Sequence, residues 1–284
     1  MADYSNTTRA ALWMIGAIVS FTSMAIAGRA VAHVHDTFEI MLFRSILGFC
    51  CVICIAYPLY GYGFMRTTRP GLHGVRNLLH FTGQNLWFFA LPLIPLAQLF
   101  ALEFTSPLWV MLLAPIFLSE TLTMRKILVA IMGAVGVYIV VDPQFNVLDI
   151  GVIAGGVAAI AFALTALATR SLSQTDSIAT ILFYLTGFQV IFGIIGVAFT
   201  GDIIWPNLQT LPWLALIGVA GLTAHFSMTK ALQLAPATTV MPIDFARLPL
   251  VSVIGVLFYS EVLTWGMVIG IKQHTNNAYQ RQAG

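Results

Sequence analysis

Charge is what this chain has least of. Of its 284 residues, 13 are Lys or Arg and 11 are Asp or Glu, 8% in all, whereas about a quarter of an ordinary soluble domain is charged. Hydrophobic residues make up 59%. A chain so poor in charge cannot cover itself with a hydrated surface, which excludes a soluble globular protein and leaves an integral membrane protein. The net charge of +2 is spread over short loops and forms no basic face, so nucleic-acid binding has nothing to rest on. Cysteine is scarce as well. Cys50, Cys51 and Cys54 share one apolar run, which argues against a disulfide framework or a metal site and makes them lipid-facing or packing residues. No His-Glu-x-x-His and no nucleotide-binding motif is present, so neither an embedded metalloenzyme nor an ATP-driven pump is indicated, and no cofactor is expected.

What the chain does have is an internal repeat. Ala90 to Thr123 recurs 141 residues later, without a gap, as Ala231 to Thr264. Leu91, Leu93, Pro95, Phe104, Val110, Phe117, Ser119 and Glu120 fall on identical residues, and Glu103 falls on Asp244. The same offset carries Ala27 to Ala168 and Arg29 to Arg170, so the apolar run after Arg9 reads as a retained first helix rather than a cleaved signal. Two copies of an apolar unit, each with an embedded acid, read as a transporter.

The apolar runs predict helices over 10–28, 38–60, 75–92, 96–118 and 125–141, then over 150–169, 178–200, 211–231 and 237–259, with a tenth beginning at 265. Five crossings per copy is an odd number, so the second copy enters from the opposite face. The expected fold class is all-α: a polytopic membrane protein of two inverted five-helix repeats, residues 1–142 and 143–284. The tenth helix is expected to be incomplete, because seven or so apolar residues up to Ile271 give way to Lys272-Gln273-His274 and a polar tail. Arg66, Arg69, Arg76, Arg125, Lys126, Arg170 and Lys230 fall in loops on the N-terminal side, whereas Asp36, Asp142, Asp149 and Asp202 fall opposite with Arg29, which predicts a cytoplasmic N-terminus. Gly151 with Gly155, and Gly266 with Gly270, are spaced to let helices approach closely.

The repeat, the short loops and the Pro95 to Thr123 pattern resemble the EamA-type carriers of the drug/metabolite transporter superfamily. Within that resemblance, Arg69-Pro70, His73, Arg76, Leu78-Leu79, Gly83 and Trp87 look like the start of the third helix in carriers related to S-adenosylmethionine uptake transporters of intracellular bacteria. The resemblance implies a bacterial inner-membrane carrier that hydrolyses no ATP. It also implies a central cavity lined by helices one to four and six to nine, with helices five and ten peripheral.

Ionisable side chains inside hydrocarbon are costly unless paired or wetted, so each is a functional candidate. Glu103 lies about 12 Å into its helix from Pro95, and Asp244 lies equally far from Pro236, which puts both near the midplane. Arg247 follows Asp244 by three residues on the same helical face, and Arg44 sits roughly 10 Å inside the second helix. Two readings stand side by side: the four pair internally and hold helices together, or some face a wet cavity and meet a zwitterionic substrate or a proton. Gln84 maps onto His225, giving hydrogen-bonding groups at equivalent depths. Trp87, Phe104, Trp109, Tyr184 and Phe245 are candidate aromatic walls for a flat ring or a sulfonium cation. Glu120 and Glu261, each in Ser-Glu-x-Leu-Thr, read as capping or turn devices, and His33, His35 and Asp36 form a weak metal signal.

The expected partners are therefore the lipid bilayer and a small polar metabolite, with S-adenosylmethionine favoured and export of an amino acid or other metabolite as the alternative. A homodimer is a further expected partner, and the shortened tenth helix removes part of the surface that would pack against a second subunit. A shortened carrier that inserts but no longer transports is a further alternative.

Overall fold

A computed structural model of the chain describes residues 2–124, 127, 128, 131, 132, 134, 135, 149–201, 203–247, 250, 251, 253, 254 and 257. Most of the expected fifth helix, the tenth helix, the polar tail, Asp142, Arg125, Lys126, Asp202, Glu261, Gly266 and Gly270 lie outside these residues. Those that are described form helices and connecting turns: α1 (Ala2–Val31), α2 (Thr37–Tyr60), a 3₁₀ turn (Gly61–Met65), α3 (Pro70–Ala90), α4 (Leu96–Glu103), α5 (Ser106–Leu118), α6 (Ile150–Leu172), α7 (Ile178–Thr200), α8 (Leu211–Leu234), α9 (Ala237–Val240) and a second 3₁₀ turn (Met241–Ala246). Among the described residues six helical stretches are long and apolar enough to cross a membrane. The chain is an all-helical, multi-pass membrane protein.

Three helix starts are written locally. Asp36 caps α2 through Oδ1, which accepts from Glu39 N at 2.8 Å, while Glu39 Oε2 accepts in return from Asp36 N at 3.2 Å, a reciprocal capping box. Glu39 Oε2 also meets His35 Nδ1 at 3.1 Å, so His35 and Asp36, two of the three residues of the metal signal, serve the helix start. Asp149 Oδ1 takes Gly151 N to open α6, and Ser177 Oγ takes Thr180 N to open α7.

Helix pairing follows the 141-residue offset. It carries α1 onto α6, α2 onto α7 and α3 onto α8, and the main packed pairs are α1 with α8, α3 with α6, and α2 with α7. The first two are images of each other under the offset, and the third is its own image. Arg29 donates to Ile94 O at 3.0 Å past the end of α3, and its counterpart Arg170 donates to Leu232 O in the last turn of α8. Both thus satisfy carbonyls at a helix C-terminus, where a cation also suits the helix dipole. Glu120 is a cap, as expected, but of a helix far along the chain: its carboxylate accepts from Ala237 N at 2.9 Å and Thr238 N at 3.1 Å at the start of α9. Gly151 and Gly155 sit where α6 crosses Leu93, Ile94, Leu99 and Leu102, with contacts too close for larger side chains.

The expected fourth and ninth helices differ most from the sequence reading. The fourth breaks after Glu103, because Pro107 has no N–H to give the Glu103 carbonyl and Thr105 Oγ1 donates to Leu102 O at 2.8 Å instead of supporting the next turn. The ninth tightens into its 3₁₀ turn where Pro242 falls and where Asp244 sits. Both breaks therefore adjoin the two repeat-equivalent acids.

A Cβ at Gly193 would lie 3.0 Å from the Leu42 Cα, a backbone atom that cannot swing aside, whereas a Cβ at Gly156 meets nothing within 4 Å. Gly193→Ala is expected to destabilise the α2–α7 seam by about 1–3 kcal/mol. Gly156→Ala should be neutral or slightly stabilising through helix propensity. Thermal unfolding of the two variants in detergent checks the difference, and equal midpoints would refute the close seam.

Candidate functional site

Helix α3 is built inside out. His73, Arg76, Asn77, His80, Gly83, Gln84 and Trp87 recur every three or four residues and are all buried, while Val75, Leu78 and Phe89 on the other side are exposed. In a soluble helix the apolar stripe turns inward; here the polar stripe does, as a helix must when lipid lies outside and a polar chamber inside. Arg76, expected among the cytoplasmic loop charges, is instead only 1% exposed and faces the interior. It sits in the second turn of a helix that starts at Pro70 rather than at 75.

The break after Glu103 brings that carboxylate to the end of α3. Its Oε2 accepts from Trp87 Nε1 at 2.8 Å and its Oε1 from Arg247 Nη2 at 2.5 Å. Arg247 Nη2 also donates to Asp244 Oδ2 at 2.6 Å. One guanidinium thus joins two acids from the two halves of the chain. Its carbon lies 5.2, 4.9 and 5.3 Å from the ring centres of Phe21, Phe100 and Phe104, so three aromatic faces add cation–π attraction in place of lost hydration. Asp244 Oδ1, Arg247 Nε and Ser106 Oγ are buried with no hydrogen-bond partner among the described residues, leaving polar capacity at this end of the chamber.

Beside the triad runs a narrow cavity of about 60 Å³ between α1, α3, α6, α8 and the two helix breaks. It brings together Gln84, Trp87, Glu103, His225, Asp244 and Arg247 of the residues anticipated from sequence. Gln84 and His225 occupy equivalent positions with different partners: Gln84 Oε1 accepts from Arg44 Nη1, and His225 Nε2 meets His80 Nε2 at 2.9 Å, a contact that holds one proton. Arg44 belongs to an adjoining smaller pocket and pairs with neither acid, so the anticipated four-charge set is a triad plus one separate guanidinium. Phe104 and Phe245 stand behind the triad with ring centres 5.9 Å apart. Tyr184 lies away from the cavity: it stacks on His73 at 4.4 Å and donates to Met65 O at 3.0 Å. Trp109 is on the outer surface, 36% exposed.

Arg76, His80, Thr165, Thr169, Phe21 and Met24 also line the cavity and escaped the sequence reading. The three- and four-residue spacing from His73 to Trp87 was the available signal for Arg76 and His80. Nothing local marks Phe21 or Thr169, which arrive from α1 and α6 by packing.

A model of the EamA-like transporter family matches residues 8–142 and 149–272. The chain belongs to that family. Among EamA relatives, it is 24% identical to an S-adenosylmethionine uptake transporter of Rickettsia bellii, over 88% of this chain and 84% of that protein. It is 29% identical to a riboflavin transporter of Vibrio cholerae, over 92% and 89%. A solved crystal structure superposes with a TM-score of 0.74 at 17% identity, covering 92% of both chains, a likeness of fold. The buried charges described above thus sit inside a metabolite-transporter fold.

Removing the shared cation should be worse than removing either acid. Arg247→Gln leaves two adjacent buried carboxylates and is expected to cost about 3–5 kcal/mol, whereas Glu103→Gln leaves a neutral Asp244–Arg247 pair. The triple change Glu103→Gln, Asp244→Asn, Arg247→Gln should recover most of the folded yield. Size-exclusion profiles of the three proteins check this; an Arg247→Gln protein as monodisperse as wild type would refute the shared-cation account.

Proposed function

We propose that this protein is a secondary carrier that moves a small polar metabolite across the bacterial inner membrane by alternating access, without ATP hydrolysis. The observation that carries the reading is a charged, partly unsatisfied cavity set at two helix breaks within an EamA-family chain. Discontinuous helices at mid-membrane are where inverted-repeat carriers expose backbone and charge to substrate. The halves 1–142 and 143–284, inverted relative to each other with the N-terminus cytoplasmic, rock about that cavity, and Arg247 is the joint whose partners are exchanged or kept as they move. Glu103, Asp244 and Arg247 meet the charged part of the substrate. Trp87, with Phe104 and Phe245 behind the triad, supports its flat or soft part, and Gln84 and His225 supply hydrogen bonds, with Arg44 orienting Gln84.

S-adenosylmethionine is the favoured substrate, since the third-helix pattern and the Rickettsia relative agree and a sulfonium or adenine suits an aromatic, acid-lined chamber. The Vibrio relative makes riboflavin the second reading, for the same flat-ring chemistry. Purified protein in liposomes is expected to exchange labelled S-adenosylmethionine, or failing that riboflavin or an amino acid, with no nucleotide present. A panel of these solutes giving neither counterflow nor binding refutes the carrier reading. Glu103→Gln and Asp244→Asn should lower transport at least tenfold, a loss of about 1.4 kcal/mol or more. Glu120→Gln, at a helix cap, should act chiefly on stability, about 1 kcal/mol. Equal transport loss from all three at equal folded protein would overturn the ranking.

A further inference from the structure

Two carboxylates sharing one guanidinium leave the Trp87 end of the cavity with a formal charge of −1. Toward the other end lies Arg76, +1, with no carboxylate partner among the described residues. Its Nε donates to Thr169 Oγ1 at 3.0 Å and its Nη1 to Asn77 Oδ1 at 2.7 Å, both neutral acceptors, and its Nη2 makes no hydrogen bond among the described residues. A guanidinium that is 99% buried, oriented by neutral groups and left with donors to spare on a cavity wall is costly unless something negative arrives. The other two interior arginines differ: Arg247 is paired through Nη2 with two acids, and Arg44 points into the adjoining pocket at Gln84 and Met41.

Building on the carrier reading, we propose that Arg76, held by Thr169 and Asn77, is the subsite for an oxyanion, a carboxylate or phosphate, on the transported solute. The planar fork of a guanidinium matches the two oxygens of such a group, and the charge-assisted bonds it forms are the strong ones. Arg76 and Trp87 are eleven positions apart on α3, about 16 Å along its axis. The solute is therefore elongated, its anionic end at Arg76 and its neutral or cationic end toward Trp87 and Glu103, with His80 and Gln84 along the way. A zwitterion so aligned matches the charge of both ends.

The test uses the purified full chain in detergent and solute pairs that differ by one anionic group: S-adenosylmethionine with its decarboxylated form, and riboflavin 5′-phosphate with riboflavin. The charged member of at least one pair is expected to bind about tenfold tighter or more. Arg76→Gln should erase the difference and Arg76→Lys should keep part of it. The pair that responds tells carboxylate from phosphate. Equal affinities within both pairs, or a preference that survives Arg76→Gln, would overturn the subsite, and transport by the same variant in liposomes with unchanged preference would overturn it while leaving the carrier reading intact. Where no probe binds, thermal unfolding without ligand decides. An Arg76→Gln protein as stable as wild type or more so supports an uncompensated cation kept for a ligand, and with no solute transported it is the carrier reading that fails. A fall of roughly 5 °C or more assigns Arg76 to tying α3 to α6 and sinks the proposal.

Discussion

One guanidinium holds the interior together. Arg247 is the meeting point of Glu103 and Asp244, acids that come from equivalent places in the two halves, and every neighbouring feature can be traced to the need to make that charge tolerable away from water. The helix carrying Glu103 breaks just beyond it, which frees the carboxylate to reach both Arg247 and the Trp87 indole. Phe21, Phe100 and Phe104 then cover the cation with ring faces, which replace part of its lost hydration. Removing the arginine would leave like charges facing each other in low dielectric, which is why it outranks either acid in importance for folding.

The second constraint is that the backbone must be satisfied wherever lipid is near. Continuous helices do this by themselves, and the two interrupted stretches are placed on the cavity side, where side chains can answer the freed groups. Long-range caps serve the same end. Arg29 and Arg170 close carbonyl ends across helices, and Glu120 opens α9 from a distance of more than a hundred residues in sequence. Interruptions near the acids add Glu103 and Asp244 to a polar lining that the uninterrupted α3, α6 and α8 otherwise supply.

How much of this was legible in the residues varied with the kind of signal. The boundaries of α2, α6 and α7 were close to the apolar runs, because a membrane helix is specified by its own length and hydropathy. The offset that pairs Glu103 with Asp244 and Gln84 with His225 gave residues that do line one cavity. Tyr184 and Trp109 have only their chemistry to mark them, and aromatic rings are common wherever helices pack; the structure puts one against His73 and the other on the surface. Arg76 shows the opposite trap: a cation near a helix start looks like a loop charge until the stripe from His73 to Trp87 is followed around the helix.

Sequence alone determined that the chain lives in a membrane, that it is helical, and that it repeats, because scarcity of charge, segment length and a fixed offset are properties of the chain that no folding can alter. It also determined which few ionisable groups had to be explained. Their partners were decided by tertiary structure. Whether Arg44 faced an acid or an amide, whether Gln84 and His225 did the same job, and whether Glu103 belonged to a helix or to a break all depended on which side chains other helices brought within about 3 Å. Charge interactions in low dielectric are strong but short in their geometric demands, so the residue list fixes the cast and the packing of helices assigns the pairs.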